Sequence, residues 1–325
     1  MNRRSFSAAM MAVVPFLVTL APARAEWPEH VIHLVVPFQA GSSSDTIARI
    51  IAAKLTAQLG SQVIVEDKPG GSTIIGTNFV AKSAPDGYTL GLANTSSHAA
   101  SAAFTANLPF DPVKDFTPIS MIGSSPFLLL APAQGSAKSL QDFIKLAKEH
   151  PGTLSYASAG TATLTHLAGE LVKWKTGINV IHVPYRGSEQ SLIDLIAGRI
   201  DMLVGTIPPS LQQIRAGKVL AFAIMSDKRS PLLPEVPTIA EAGAPGCEAG
   251  LWTALVAPAG LPPAIVARLN QAVNTIVNMR DVQEALSIQG VTPLGGSPEA
   301  LAERIRTDVI KWKKVVVDAN ISVTK

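Results

Sequence analysis

Val31-Ile32-His33-Leu34-Val35-Val36-Pro37-Phe38-Gln39-Ala40-Gly41-Ser42-Ser43-Ser44-Asp45 opens on an apolar, β-branched run and closes on small and hydroxylated residues. Val31–Pro37 reads as a strand, because β-branched side chains suit a pleated, half-buried surface. Beyond the loop, Ile47, Ile50, Ile51, Leu55 and Leu59 recur at helical spacing. Gly60 stands where a helix C-terminus takes a residue tolerant of positive φ. A second apolar run, Val63–Glu66, follows. Strand, loop, helix and strand make the βαβ unit of a parallel sheet.

The same alternation continues outward. A Pro69-Gly70-Gly71 turn precedes a helix near Ile75–Ala84 and a strand at Tyr88–Ala93. It resumes with a strand at Leu154–Ala157, a Gly/Ser/Thr loop, and a helix carrying Leu164, Leu167, Ala168, Leu171 and Val172. Val180–Val183 is the next strand, and Tyr185-Arg186-Gly187-Ser188 leads into a helix ending at Ala197. Gly198 and Gly217 each close a helix before a short apolar strand, which is recurring loop chemistry rather than a repeat. Phe127–Ala131 and Leu251–Ala257 lie between Pro/Gly-rich stretches, where a chain of this length would cross between two lobes. The expected fold is therefore α/β and two-lobed. Residues 26–125 plus 250–325 form one discontinuous lobe and residues 126–249 the other. The C-terminal part reads as helices at Pro262–Met279 and from Ser297-Pro298-Glu299, with serine as N-cap and proline at the first position.

The first 25 residues are read separately. Arg3 and Arg4, an apolar stretch from Ala8 to Leu20 and the Ala23-Arg24-Ala25 site before Glu26 make a secretory signal peptide. Pro15 interrupts a run already too short to span a bilayer. Arg3-Arg4-Ser5-Phe6 resembles the twin-arginine signature, so the export route stays open between that and the general one. Removing Arg3, Arg4 and Arg24 takes the basic count from 27 to 24, against 24 acidic residues. No basic footprint for nucleic acid remains. Cys247 is the only cysteine, which rules out an internal disulfide and a lipid anchor at the cleavage site. A free periplasmic monomer is expected.

Two loops carry the functional reading, each between a strand and a helix: Phe38, Gln39, Ala40, Gly41, Ser42, Ser43 and Ser44, and then Ser158, Ala159, Gly160, Thr161, Ala162 and Thr163. Small residues let backbone approach a ligand, and helix N-termini offer unpaired N–H groups with partial positive charge. Facing each other across a cleft, they would clamp a carboxylate beyond the carboxyl ends of the strands. Ser44 or Asp45 reads as the cap of the first helix, Asp45 as a cap before a ligand contact. Asn94 and Thr95, Tyr185 and Arg186, and Thr206 are further candidate lining residues, with Arg186 equally at home in solvent or between lobes. His166 and Glu170 share a helix face, but no third ligand accompanies them, so no metal is expected. His30 and His33 fall on opposite faces of a strand. The chain lacks G-x-S-x-G, G-x-x-x-x-G-K-[ST], G-x-G-x-x-G and H-E-x-x-H, so neither catalysis nor a cofactor is expected.

These landmarks resemble the Bug family, periplasmic receptors associated with tripartite tricarboxylate transport. The resemblance runs through Leu34-Val35-Val36-Pro37-Phe38 with its loop, Glu66-Asp67-Lys68-Pro69-Gly70 and Ala84-Pro85-Asp86-Gly87-Tyr88-Thr89-Leu90. It continues through Leu108-Pro109-Phe110-Asp111-Pro112, Ser158-Ala159-Gly160, His166-Leu167-Ala168-Gly169-Glu170, His182-Val183-Pro184-Tyr185-Arg186-Gly187 and Leu233-Pro234-Glu235-Val236-Pro237-Thr238. It implies a periplasmic-binding-protein fold of the Venus-flytrap, type II-like kind, closing on a small carboxylic acid. It further implies that Phe38–Ser44 holds the carboxylate, partly through waters, with Gly160–Thr163 opposite. Closure would signal to a membrane transporter. A sensor kinase's periplasmic domain is the alternative partner, and an exported hydrolase a weaker alternative. Three departures stand out. Ser42-Ser43-Ser44 replaces the family's glycines, Ala99-Ala100-Ser101 replaces an Asn-Pro after His98, and Gly205-Thr206 stands where an acidic or amide residue is common. Without that acid a ligand ammonium has no evident partner, which argues against amino acids.

Overall fold

The computed structural model describes residues 27–319 and 321, except residues 162 and 186. The expected signal peptide, Ala162 and Arg186 lie outside the described residues. The opening unit forms as its pattern predicts: β1 (Ile32–Val36), α1 (Ser43–Leu59), β2 (Val63–Asp67), α2 (Ile74–Ala81) and β3 (Thr89–Asn94). β1 pairs in parallel with both β2 and β3, setting Leu34 against Val65 and Leu90. Gly60 ends α1 in the left-handed region at φ 72°, as a C-cap glycine should.

After β3 the chain makes a π-helical segment, Ser96–Ala100, then α3 (Ser101–Phe104) and β4 (Phe116–Pro132). The second half of the molecule holds α4 (Leu140–Glu149), β5 (Ser155–Ser158), α5 (Leu164–Thr176), β6 (Ile181–Pro184), α6 (Ser188–Ile196), β7 (Met202–Thr206), α7 (Ile207–Arg215) and β8 (Val219–Ile224). The chain then returns through β9 (Gly250–Pro258) to α8 (Pro263–Val277), α9 (Arg280–Ile288), β10 (Thr292–Pro293) and α10 (Pro298–Asp318). α10 starts on the Ser297 cap, whose side chain accepts the Ala300 N–H.

β4 and β9 join the two halves. From Phe116 to Pro126, β4 runs antiparallel to β9, and β9 runs antiparallel to β3. From Phe127 onward β4 pairs instead with β7 and β8, while β5 pairs in parallel with β6 and β7. One mixed sheet results, ordered β2-β1-β3-β9-β4-β7-β5-β6. The sequence shows only the later part of β4. Its first part carries Pro118, Ser120, Gly123 and Pro126, and register shifts between Pro118/Ser120 and Met121/Gly123 break the alternation that would reveal a strand. Glycine is required where the crossing strands touch. A Cβ on Gly250 would lie 2.6 Å from Pro126 Cα and 2.8 Å from Ser125 O.

Apolar packing follows these layers. Ile47, Ile51 and Leu55 of α1 bury against Ile32, Leu34 and Leu90, with Leu269 and Val273 of α8 in the same cluster. α6 and α7 cover the opposite half through Leu192, Leu195 and Ile207 against Leu128, Leu130 and Leu203. A third cluster joins α5, α10 and the π-helical segment, with Leu167, Trp312 and Ala99 fully buried. Burying one such leucine or isoleucine contributes roughly 1.5–3 kcal/mol, so three continuous clusters hold the loops on rigid supports.

Candidate functional site

The two small-residue loops both emerge at strand ends and open helices, but different chemistry holds each. In the first, Ser42 rather than Ser44 or Asp45 is the N-cap: it has extended backbone, and its Oγ accepts the Asp45 N–H at 3.2 Å. The cap falls there because Ser43 already has helical geometry. Asp45 reaches back instead, accepting the Gly41 N–H at 2.7 Å, while Arg49 Nε sits 2.7 Å from its other oxygen. Arg49 also bonds Asp67 at 3.0 Å, tying the loop to the end of β2. Burial pushes the Asp45 carboxyl up, but the Gly41 N–H and the Arg49 guanidinium outweigh it and hold it below its ordinary range. Burial and the neighbouring Asp45 charge push Asp67 the other way.

Phe38 packs partly against the α1 cluster, whereas Gln39, Ala40, Gly41 and Ser43 are exposed. Ser43 Oγ donates to Gln289 at 3.0 Å. The first N–H groups of a helix have no backbone partner within it; the Ser42 cap takes that of Asp45, which leaves those of Ser43 and Ser44 to meet an anion.

In the second loop, neutral groups do the holding. Thr163 caps α5, its Oγ1 donating to Gly160 O at 2.7 Å and accepting the His166 N–H. The Ala159 N–H donates to Thr165 Oγ1 at 3.0 Å. Ser158 is buried, its Oγ 2.7 Å from His182 Nε2 and accepting the Gly160 N–H at 3.2 Å. Gly160 has φ 138°, a conformation that side chains disfavour. Thr161 is exposed.

Behind Ser158 lies a stack that the separate motifs do not announce. His166 and His182 lie face to face at 4.0 Å and 8°, and Tyr156 stacks on His182 at 4.9 Å. Tyr156 donates to Glu170 at 2.6 Å, and Lys173 pairs with the same oxygen at 2.8 Å. Burial drives His182 down to about 4 and also lowers His166, so both rings are neutral near pH 7. His166 and Glu170 do share a face, but Glu170 is committed to Tyr156 and Lys173. Among the described residues no group of three or more His, Cys, Asp or Glu is placed to hold a metal.

Other candidates divide. Ser43, Ser44, Asn94 and Thr206 line one cavity of about 320 Å³, together with Ser125 and Thr253 on the crossing strands. Thr163 lines another of about 530 Å³ with Thr73, Ser96 and Ser101. Each draws on residues both before position 126 and between 126 and 249, and no Asp, Glu, Lys or Arg lines either among the described residues. Thr95 is different from expectation. It is fully buried, and its hydroxyl donates to Gly250 O and accepts the Trp252 N–H, which ties β3 to β9. Tyr185 donates to Asp194 at 2.7 Å and packs with the α6 cluster. His98, at the end of the Asn94–His98 run, is buried between the rings of Phe116 and Trp252 and driven down to about 3 by burial. His30 and His33 part as the strand period requires, toward Tyr88 and Glu66.

Ser125, Thr253, Thr73 and Gln289 were not singled out from the sequence. Only Thr73 carried a local signal, as the end of the Gly70-Gly71-Ser72-Thr73 run. Its hydroxyl is buried without a partner and its backbone sits at φ 82°, well outside the ordinary range for threonine.

The chain matches the model of the tripartite tricarboxylate transporter family receptor over residues 47–321. A curated relative from Pseudomonas sp. strain P51, described as a protein in the tcbD-tcbE intergenic region, is 38% identical over 318 residues, covering 96% of this chain and 94% of its own. An R. palustris protein solved with adipate is 34% identical, covers 92% of this chain and 100% of its own, and superposes with a TM-score of 0.74. MatC from Rhodopseudomonas palustris, solved with bound malate, is also 34% identical, covers 89% of this chain and 100% of its own, and gives 0.70. The likeness establishes the α/β periplasmic-binding-protein fold over nearly the whole described chain.

Proposed function

Since this chain belongs to the tripartite tricarboxylate transporter receptor family, a family of solute-binding receptors, we propose that it captures a small carboxylate between the loops 38–44 and 158–163 and releases it unchanged to a membrane transporter. The single observation carrying this reading is the pair of hydroxyl-capped helix N-termini, α1 and α5, each opening onto a cavity lined from both the 26–125/250–325 and the 126–249 parts of the chain. An anion in either cavity meets the unpaired N–H groups and the dipole of one of these helices without needing a fixed cation, and closure would have to bring the α1 and α5 N-termini onto a single ligand.

The polar lining is almost entirely hydroxyl and amide, and no acidic side chain stands ready for a ligand ammonium among the described residues. The ligand class is therefore a carboxylic acid, with the adipate and malate of the two R. palustris neighbours as the natural first probes. Residues 26–125 with 250–325 act as one lobe and 126–249 as the other, closing about the point where β4 changes partner from β9 to β7. The signal peptide of residues 1–25 delivers the chain to the periplasm, where it works as a monomer.

The test is a thermal-shift screen of dicarboxylates, hydroxy acids, aromatic acids and amides, followed by mass analysis of the recovered ligand. A ligand at 100 times its Kd stabilises the folded state by about 2.7 kcal/mol. At least one carboxylate should raise the melting temperature and come back chemically intact. A ligand that returns altered, or amides binding in place of acids, would sink this reading.

A further inference from the structure

Behind the crossing strands, away from the two loops, lies a larger cavity of about 630 Å³ between α10 and α5. The alternation of β4 separates the two sides: Ser124 and Pro126 line this rear cavity, whereas Ser125 lines the smaller one in front. Its floor is apolar, with Leu171 and Met225 almost fully buried. One wall is Trp174, over which the ammonium groups of Lys175 and Lys314 sit at 4.5 and 5.1 Å from the ring centre.

Lys311 sets the chemistry. It is partly buried, lines the cavity, and donates to the Glu248 backbone carbonyl, with the Trp312 ring face 4.8 Å away. An ammonium carries three donors, and among the described residues no carboxylate forms an ion pair with this one. Three carboxylates, Asp227, Glu248 and Asp308, share the lining with four cations, Lys175, Arg304, Lys311 and Lys314, and Asp308 is engaged through Oδ2 by Arg304 Nε at 3.0 Å and Trp252 Nε1 at 2.7 Å. Burial lowers the Lys311 pKa, as it must for a cation short of partners. A partly buried, incompletely satisfied ammonium is costly unless something completes it, and an anion in the adjoining space would do so.

We propose that the rear cavity is a second binding site, for an organic carboxylate with an apolar or aromatic body. Its carboxylate pairs with Lys311, and its body rests on Leu171, Met225 and the Trp174 ring. The volume suits a molecule of that size. Because α10 and α5 belong to opposite sides of the strand crossing, a molecule held between them bears on how the two halves move.

The probe is 2-naphthoate, titrated into the mature chain by calorimetry and by quenching of tryptophan emission. Saturable binding is expected in the wild type, weakened about tenfold or more in Lys311→Met, retained in Lys311→Arg, and weakened in Trp174→Ala. Trp174 is on the surface, so its truncation leaves the fold in place even if Lys311→Met disturbs it. The same binding should survive Gly160→Trp, which obstructs the front loop. No saturable binding by the wild type, unchanged affinity in both Lys311→Met and Trp174→Ala, or loss in Gly160→Trp alone would each overturn the proposal. The last result would assign the probe to the front cleft and leave that reading standing.

Discussion

The loops at residues 38–44 and 158–163 look alike in sequence and are supported by opposite means. The first rests on charge: Asp45 accepts from Gly41 and pairs with Arg49, which reaches Asp67 on the next strand. The second rests on neutral groups: the Thr163 cap, the Ser158 hydroxyl and the stacked, uncharged His166 and His182. Similar backbone presentation at two helix N-termini thus arises from a salt-bridged scaffold in one half and a stack of neutral rings in the other. A ligand carboxylate would meet a loop already electrostatically committed on one side, and a loop free of fixed charge on the other.

The harshest way to break this comparison is Gly160→Trp. At φ 138°, with a Cβ only 3.2 Å from Tyr185 O, any side chain distorts the second loop. Carboxylate affinity should fall about 100-fold or more, roughly 2.7 kcal/mol, while circular dichroism stays native. Unchanged affinity would remove this loop from the site. Asp45→Asn strikes the first loop. It leaves the Arg49 guanidinium with one partner and weakens the Gly41 tether, costing about 1–3 kcal/mol of stability and about tenfold in affinity. A variant as stable and as tight as the wild type would show that the charge network is incidental.

Acid should separate the loops without any mutation. His182 has a lowered pKa of about 4 in the folded state, against roughly 6.5 in an unfolded chain. As pH falls from about 6.5 toward 4, the unfolded chain takes up a proton that the native stack refuses, so stability declines across that window. Asp45 has a depressed folded pKa, so its contribution persists above the ordinary carboxylate range and is lost only as pH falls through that lower value. Hydrogen exchange at pH 7 and pH 5 should therefore show the amides of Ala159, Gly160 and Thr163 losing protection while those of Gly41, Asp45 and Thr46 keep it. Equal loss in both segments would erase the distinction. The mildest probe is Ser43→Ala, which removes only an exposed hydrogen bond to Gln289. A stability change within about 0.5 kcal/mol is expected in urea unfolding, with affinity altered less than about threefold. A larger affinity loss would make the Ser43 hydroxyl a direct ligand contact.

The contrast between the loops also explains what could be read in advance. Gly41 and Arg49 each lie four residues from Asp45 along the chain, so local capping and i,i+4 rules reach them, although they misplace the cap itself by two or three residues. His182 and Ser158 are 24 residues apart, and Ser43 and Gln289 are 246 apart. No periodicity connects them, because each meeting depends on how separate strands align. Thr95 shows the converse error. A hydroxyl just past a strand looks like a pocket lining until β9 arrives beside it and takes both its hydrogen bonds. β4 was half legible, since its apolar end alternates and its proline- and glycine-bearing start does not.

Read alone, the sequence settles most of the alternation of strands and helices, the small-residue loops at their junctions and the balance of charge beyond residue 25. These follow from local rules of period, capping and turn chemistry. Tertiary structure alone decided which hydroxyls face a cavity, which histidines stack neutral beneath a loop, and that an incompletely paired Lys311 borders a space behind the crossing strands. Those outcomes depend on distance and burial between residues far apart in the chain, and desolvation becomes definite only once the layers have packed.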